Sequence, residues 1–256
     1  MSQTFRHPEI LEIARRDRMV TVDGLARHFD VTVQTIRRDL ADLADAGKLE
    51  RVHGGAVLPA SATVNIGYED RRAINDAGKQ AIAAAAAAAV PQDAAIFLNI
   101  GTSTEAVARN LLTHQNLMAV TNNMNVANIL LANPACDIVV AGGSLRRTDG
   151  GLTGTLTVQT IEQFKFDVAI IGCSALDEDG DLLDFDIQEV GVSQTIIRRA
   201  RRTFLVADHT KFQRRAPARI ASLEGIDTLF TDRPLPAPLA EKCEAWGTRV
   251  VISGAR

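Results

Sequence analysis

The clearest alternation of apolar and polar positions in the chain lies between Val20 and Ala56. At 100° per residue, Ile36, Leu40 and Leu43 fall within about 40° of one another, an i, i+4, i+7 stripe that predicts an amphipathic helix. Leu25 and Phe29 form a matching stripe upstream, so another helix precedes it. Asp30 and Val31 read as the turn between the two. Thr32 is placed to cap the second helix, its hydroxyl accepting from an otherwise unpaired first-turn N–H. Gly47 ends that helix, as a glycine past the last turn commonly does. Leu49 to His53 and Ala56 to Leu58 then read as strands about a Gly54-Gly55 turn. Two helices, a tight turn and a glycine-tipped hairpin predict a winged helix-turn-helix, which sets a helix in the DNA major groove.

The polar positions of this segment suit that use. Gln34 and Arg38 lie almost opposite the apolar stripe, with Thr35 and Arg37 on its flanks. Arg can fork onto guanine, Gln can pair with adenine, and Thr can reach a phosphate or a thymine methyl. Arg51 and His53 fall on the wing. Thr32, Gln34, Thr35, Arg37, Arg38, Arg51 and His53 are therefore the candidate DNA contacts. The first 58 residues carry equal numbers of acids and bases, so a footprint must come from placement rather than bulk charge. Asp39, on the same helix as the arginines, reads as structural and paired with an arginine nearby.

Downstream the pattern changes. A connector spans 59–75, with the stretch 59–63 reading as flexible and Tyr68 to Arg72 leading into a helix. An alanine-rich helix follows from Lys79. Short apolar runs then alternate with helical patterns, with strands expected at 94–98, 117–121, 138–141, 168–171, 204–207, 228–230 and 250–252. That alternation predicts an α/β domain with a mainly parallel sheet covered by helices. The division expected is 1–58, a connector over 59–75, and 76–256.

Ligands of such sheets bind beyond the carboxyl ends of the strands. The first expected strand runs into Asn99-Ile100-Gly101-Thr102-Ser103-Thr104, glycine and hydroxyls at a helix start, a combination suited to an anion. Others end in Thr121-Asn122-Asn123, in Gly142-Gly143, in Gly172, and in Ala207-Asp208-His209-Thr210-Lys211, where Lys211 offers a point charge for a phosphate. These ends fit a small polar anion, and equally fit glycines that turn and hydroxyls that cap. No Walker loop or G-x-G-x-x-G fingerprint is present.

Composition sets further bounds. The 256 residues accommodate a small domain and one of about 180 residues, each with a core. A net charge of −3 excludes a purely electrostatic DNA coat. Cys136, Cys173 and Cys243 are widely spaced and read as buried thiols, with neither a zinc site nor a disulfide framework. The apolar run at 82–90 is mostly alanine and too short to span a bilayer, and no signal peptide is legible, so a cytoplasmic location with no membrane partner is expected. Arg198-Arg199-Ala200-Arg201-Arg202 closes a helical pattern, where cations favour the dipole, and His209 reads as supporting its loop. Among the hydroxyls, histidines and acids no spacing suggests a nucleophile–base pair.

Thr35-Ile36-Arg37-Arg38-Asp39-Leu40, with Leu43, Gly47, Leu49, Arg51 and His53-Gly54-Gly55-Ala56 at these spacings, resembles the DeoR-type family of bacterial transcriptional repressors. The resemblance extends over essentially the whole chain, and it implies an effector domain folded like ribose-5-phosphate isomerase that senses phosphorylated sugars or polyols. Thr121 to Asn128, Leu183 to Val190, Gly142 to Arg146 and Asp208 to Phe212 are most similar to the glycerol-3-phosphate-responsive branch of that family. By that resemblance the ligand contacts are Gly101, Thr102, Ser103, Thr104, Thr121, Asn122, Gly142, Gly143 and Lys211. Asp186 and Glu189 are further candidates for ligand hydroxyls or for helix capping. Asn99 stands where an aspartate is expected, and so removes an acid.

The expectation is a repressor rather than an enzyme, without cofactor or metal. It binds double-stranded operator DNA as a homo-oligomer, dimer or tetramer, and is relieved by a small phosphorylated effector, glycerol 3-phosphate first. The alternatives are a family member sensing another sugar phosphate, and a sugar-phosphate isomerase or deaminase with a fused amino-terminal domain.

Overall fold

The structure is a computed structural model that describes residues 3–17, 19–46, 48–52, 54–57 and 65–254. The expectations for Gly47, His53, Leu58 and the stretch 59–63 lie outside the described residues. The chain divides into two compact units, Met1–Ser61 and Ala62–Arg256.

In the smaller unit, α1 (Gln3–Asp17), β1 (Met19–Thr21), α2 (Val22–Phe29), α3 (Val33–Asp45), β2 (Glu50–Val52) and β3 (Gly55–Val57) follow in order. The stripes read from the sequence converge: Leu25 and Phe29 of α2 meet Ile36, Leu40 and Leu43 of α3 in one core, which also takes Ile10 and Ala14 of α1, Leu49 and Ala56. The hairpin is a three-stranded antiparallel sheet, because β1 pairs with β3 on the side away from β2. Gly55 makes that pairing possible, since a Cβ there would collide with the Val20 carbonyl oxygen. Neither α1 nor β1 was expected from the pattern.

The larger unit opens with α4 (Tyr68–Ala73) and α5 (Asp76–Ala88), so the alanine-rich helix starts three residues before Lys79. It continues with β4 (Ala95–Leu98), α6 (Thr102–Asn110), β5 (Leu117–Thr121), α7 (Met124–Leu130), β6 (Cys136–Val140), β7 (Ser144–Leu145), β8 (Leu152–Thr153), α8 (Thr155–Glu162), β9 (Val168–Ile171), β10 (Ala175–Leu176) and β11 (Asp181–Asp184). It ends with α9 (Ile187–Arg199), β12 (Thr203–Val206), β13 (Ala218–Ser222), β14 (Thr228–Thr231), α10 (Ala237–Trp246) and β15 (Arg249–Ile252).

The seven expected strands form one sheet, parallel throughout, in the order β15-β14-β12-β9-β4-β5-β6; β5 and β9 have the expected bounds, and the other five differ by one or two residues at an end. Strand alternation divides the core between the two faces. Ile96 and Leu98 pack with residues of α5, α6 and α7, while Phe97 packs with residues of α8, α9 and α10. Two smaller antiparallel groups, β10-β11-β13 and β7-β8, are additions that the alternation did not reveal. The chain winds outward from β4 to β6 on one side and from β9 to β15 on the other. The order therefore reverses between β4 and β9, and a crevice opens at the carboxyl ends of these two strands.

Candidate functional site

Each unit carries one part of the site. In the smaller unit the turn before α3 is built from three local devices. Thr21 caps α2 by accepting from the Gly24 N–H at 3.1 Å. Asp30 takes a left-handed conformation, φ 51°. Thr32 caps α3, its Oγ1 accepting from the Thr35 N–H at 3.2 Å and sharing a 2.9 Å hydrogen bond with the Thr35 hydroxyl. Gln34, Arg37 and Arg38 are exposed on the first two turns of α3, as is Arg51 on β2. Thr35 is half-buried, its hydroxyl bound to Thr32.

Asp39 is only 1% exposed. The expected arginine partner is Arg6 on α1, which donates from Nε at 2.7 Å and from a terminal nitrogen at 3.2 Å. Those hydrogen bonds hold the Arg6 guanidinium above its ordinary pKa. The pair fastens α1 to the flank of α3, so that α3 presents its polar face outward.

In the larger unit, the crevice at the β4/β9 switch point is lined by the 99–104 loop, by Gly172, Cys173 and Ser174 after β9, and by Asp184, Glu189, Ser193 and Lys211. Asn65, Arg71 and Asp149 complete the lining. Of the ligand residues expected from the sequence, Gly101, Thr102, Ser103, Thr104 and Lys211 come together here. Gly101 caps α6 with φ 145° and has no side chain to satisfy the first-turn N–H groups, which leaves them for an anion. The Thr104 hydroxyl is spent locally on the Asn99 and Gly101 carbonyls, both at 2.7 Å.

The remaining four stand outside the lining. Thr121 is fully buried and donates to the Leu98 carbonyl at 2.7 Å. Asn122, also fully buried, donates to the Leu152 carbonyl at 3.1 Å. The Gly142 carbonyl accepts from Thr157, and at Gly143, φ 142°, a Cβ would run into the Thr153 carbonyl. Thr121, Asn122, Gly142 and Gly143 thus join neighbouring strand ends instead of lining the crevice. Asn99 accepts from the Ile100 N–H at 2.7 Å and donates to Ser193 at 2.9 Å, which sets the loop that leads into α6.

The charge distribution is uneven. Burial, with Arg214 nearby, lowers the Lys211 ammonium to about 8. Arg214 is itself lowered by burial and by Arg71. Three cations that repel one another thus lie close together: Lys211 and Arg71 line the crevice, and Arg214 stands beside them. Among them Cys173 is pushed by burial to about 12 and stays a thiol. Asp184 is raised by burial.

Across the mouth, Arg146 gathers acids: Asp149 at 2.8 and 2.6 Å, Asp186 at 3.0 Å, and Glu189. Asp186 also caps α9, accepting from the Gln188 N–H at 2.9 Å, while Glu189 lines the crevice. Arg71 reaches the same Asp149 at 3.3 Å.

Arg71, Asn65 and Arg214 escaped the sequence reading. The first two lie in what reads as connector, and Arg214 lies past the Lys211 motif, with no periodicity to mark any of them. Elsewhere His209 is tied to Asp232 at 2.7 Å, in line with a loop-supporting role. Arg198 and Arg199 do close α9. Cys173 and Cys243 are buried, whereas Cys136, on the edge strand, is only half-buried. Among the described residues no cluster of metal-ligating side chains occurs, and no helix is long and apolar enough to cross a membrane.

Comparison with known proteins bears on both units. The family description "DeoR-like helix-turn-helix domain" matches residues 6–62, and "DeoR C terminal sensor domain" matches residues 74–233. The chain is 44% identical over 241 residues to the glycerol-3-phosphate regulon repressor of Escherichia coli strain K12, covering 94% of this chain and 95% of that protein. It is 43% identical over 252 residues to the repressor of the same name from Haemophilus influenzae, covering 98% of each. Among solved structures, ribose 5-phosphate isomerase A from Neisseria gonorrhoeae aligns with a TM-score of 0.38 and 14% identity over 52% of each chain, a distant likeness on which nothing below depends.

Proposed function

The chain belongs to the DeoR family of transcriptional repressors, and from that premise we propose that glycerol 3-phosphate is the effector that releases it from its operator. The family places a DNA-binding helix-turn-helix at the amino terminus and a sensor domain after it, and its named relatives are repressors, not enzymes. The proposal concerns which groups read the DNA, what the sensor binds, and how.

For the operator, Gln34 and Arg38 read base edges from the outward face of α3. Arg37 and the Thr32–Thr35 cap fix register on the phosphates, and Arg51 follows the backbone from the wing. Symmetric half-sites call for at least a dimer. The protein works in the cytoplasm, where the operator is.

For the sensor, one observation carries the reading: Lys211, Arg71 and the open start of α6 line one crevice together with Asp184, Ser174, Ser193 and Glu189, and Arg214 stands beside Lys211. The phosphate takes the cations, with the first-turn N–H groups of α6 and the Thr102 and Ser103 hydroxyls as donors. The two glycerol hydroxyls donate to the carboxylates and serines. The high identity to repressors named for glycerol 3-phosphate supports that choice over a longer sugar phosphate.

Fluorescence anisotropy of the full chain on a duplex that it has selected from a random library tests the reading. Glycerol 3-phosphate is expected to raise the operator Kd, by a factor of about 5–150 for a typical coupling. Release by ribose 5-phosphate but not by glycerol 3-phosphate would move the choice to a sugar phosphate.

A further inference from the structure

The residues that open the larger unit are held by Arg71, which lines the crevice, and by Arg214, which stands beside Lys211. Arg71 donates to the Ile66 carbonyl at 3.1 Å, and Arg214 donates to Asn65 Oδ1 at 2.9 Å. Asn65 and Arg71 both line the crevice. In sequence, Asn65 and Ile66 are the first described residues after the stretch that leads from the DNA-binding unit. Arg71 rides on α4, and Tyr68 of the same helix donates to Glu105 in the first turn of α6 at 2.9 Å. The start of the unit and the ligand-facing end of α6 thus share one hydrogen-bonded frame.

Neither arginine spends its strongest bonds there. Both acceptors, a peptide carbonyl and a side-chain amide, are neutral, and charge-assisted hydrogen bonds to an anion are roughly twice as strong. Among the described residues Arg71 forms one ion pair, with Asp149 at 3.3 Å, but Asp149 is already held bidentately by Arg146 at 2.8 and 2.6 Å. A phosphate entering between Arg71, Arg214 and Lys211 therefore offers both guanidiniums better acceptors than those they leave.

We propose that Arg71 and Arg214 couple the sensor to the operator: the effector's phosphate draws them off Ile66 and Asn65, and the loss of these two holds at the start of the unit carries the change toward the DNA-binding helix. This rests on the effector reading above. Because the effector binds the released arrangement better, linkage requires that whatever strengthens the tether weakens the effector, and the reverse.

Two substitutions at Asn65 push in opposite directions. Asn65→Ala removes the Arg214 tether while leaving both cations for the ligand. Asn65→Asp turns the tether into an ion pair that the phosphate must outcompete. Calorimetry with glycerol 3-phosphate and anisotropy on the selected duplex are run on the full chain. For Asn65→Ala, effector affinity is expected to rise severalfold, the effector-free operator Kd to weaken, and the effector-induced ratio of operator Kd values to fall at least threefold. For Asn65→Asp, effector affinity is expected to fall at least fivefold, with the operator retained at concentrations that empty the wild type. Shifts in the same direction for both variants, or no shift in either, overturn the coupling while leaving the effector reading intact. Absence of binding to the wild type by both glycerol 3-phosphate and ribose 5-phosphate overturns both.

Discussion

If Lys211 holds the effector's phosphate as proposed, the sensor's affinity depends on pH in the window where that lysine titrates. Burial, reinforced by Arg214, brings its ammonium down to about 8. A phosphate dianion beside it favours the charged form and raises it again. The sign follows: the effector binds the protonated lysine, so affinity holds below about pH 8 and is lost as pH rises through that value. At the acid end the phosphate monoester, with a second pKa near 6, sets the limit.

If the neutral lysine contributes nothing, the dissociation constant scales as one plus ten to the power of pH minus 8. Between about pH 7 and pH 9 that is roughly a tenfold loss, or about 1.4 kcal/mol. Isothermal titration at about pH 7, 8 and 9, in paired buffers of different ionisation enthalpy, reads both the affinity and the proton taken up on binding. Lys211→Met should bind weakly with no such slope, and Lys211→Arg should keep its affinity at the alkaline end. Equal wild-type affinity at both ends of the range, without proton uptake, would refute the placement of the phosphate on Lys211.

Other expectations concern the smaller unit. Arg38→Ala should cost about 1–3 kcal/mol of operator discrimination, read by competition between the selected duplex and single-base variants; an unchanged preference would remove Arg38 from base contact. Asp39→Ala removes the Asp39 carboxylate from a buried Arg6 and should destabilise the unit by about 2–3 kcal/mol, at or just below the ~3–5 kcal/mol typical of a broken buried pair because the Arg6 side chain keeps 8% of its surface exposed. Amide hydrogen exchange along α3 should then quicken by roughly 30- to 150-fold while α5 and β4 are unaffected; exchange as slow as in the wild type would mean that the pair does not hold the helix. Gly55→Ala drives a methyl into the Val20 carbonyl and should weaken the wing by about 1–3 kcal/mol. A melting profile and operator affinity both equal to the wild type would show that β1 and β3 can separate freely.

Much of this architecture is legible in the sequence where one periodicity dominates. The stripe of Ile36, Leu40 and Leu43 specifies which face of α3 is buried, and therefore that Gln34 and Arg38 are exposed. The seven parallel strands are short apolar runs covered on both faces, and a run of that kind has few other solutions. Helix α1 was missed because its apolar positions are sparse and Pro8 interrupts the pattern, and β1 because three residues carry no period.

The site was only half legible. Gly101 to Thr104 and Lys211 sit at strand ends, where topology directs ligands. Thr121, Asn122, Gly142 and Gly143 sit at strand ends too, yet the Thr121 hydroxyl, the Asn122 amide nitrogen and the Gly142 carbonyl bond to neighbouring segments. Composition cannot separate the two cases, since a serine that faces a ligand and a threonine that ties two loops look alike in one dimension. Arg71 and Asn65 were missed for the complementary reason: the crevice recruits them from a stretch that folds back from the chain's direction of travel, and only three-dimensional proximity reveals it.

The alanines of α5 have a consequence far from their own surface. Ala83, Ala86 and Ala87 are buried in one cluster with Ala106 and Val107 of α6, so small side chains make up much of the packing of α5. Interaxial separation grows over about 8–10 Å with the bulk of the intervening side chains, and a close-packed interior passes such displacements on instead of absorbing them. Widening that gap by a single Ala83→Val change would tilt α6, and with it the first-turn N–H groups proposed to hold the effector's phosphate. Descendants of this gene therefore have a route to a new metabolite preference through spacers that never touch the metabolite.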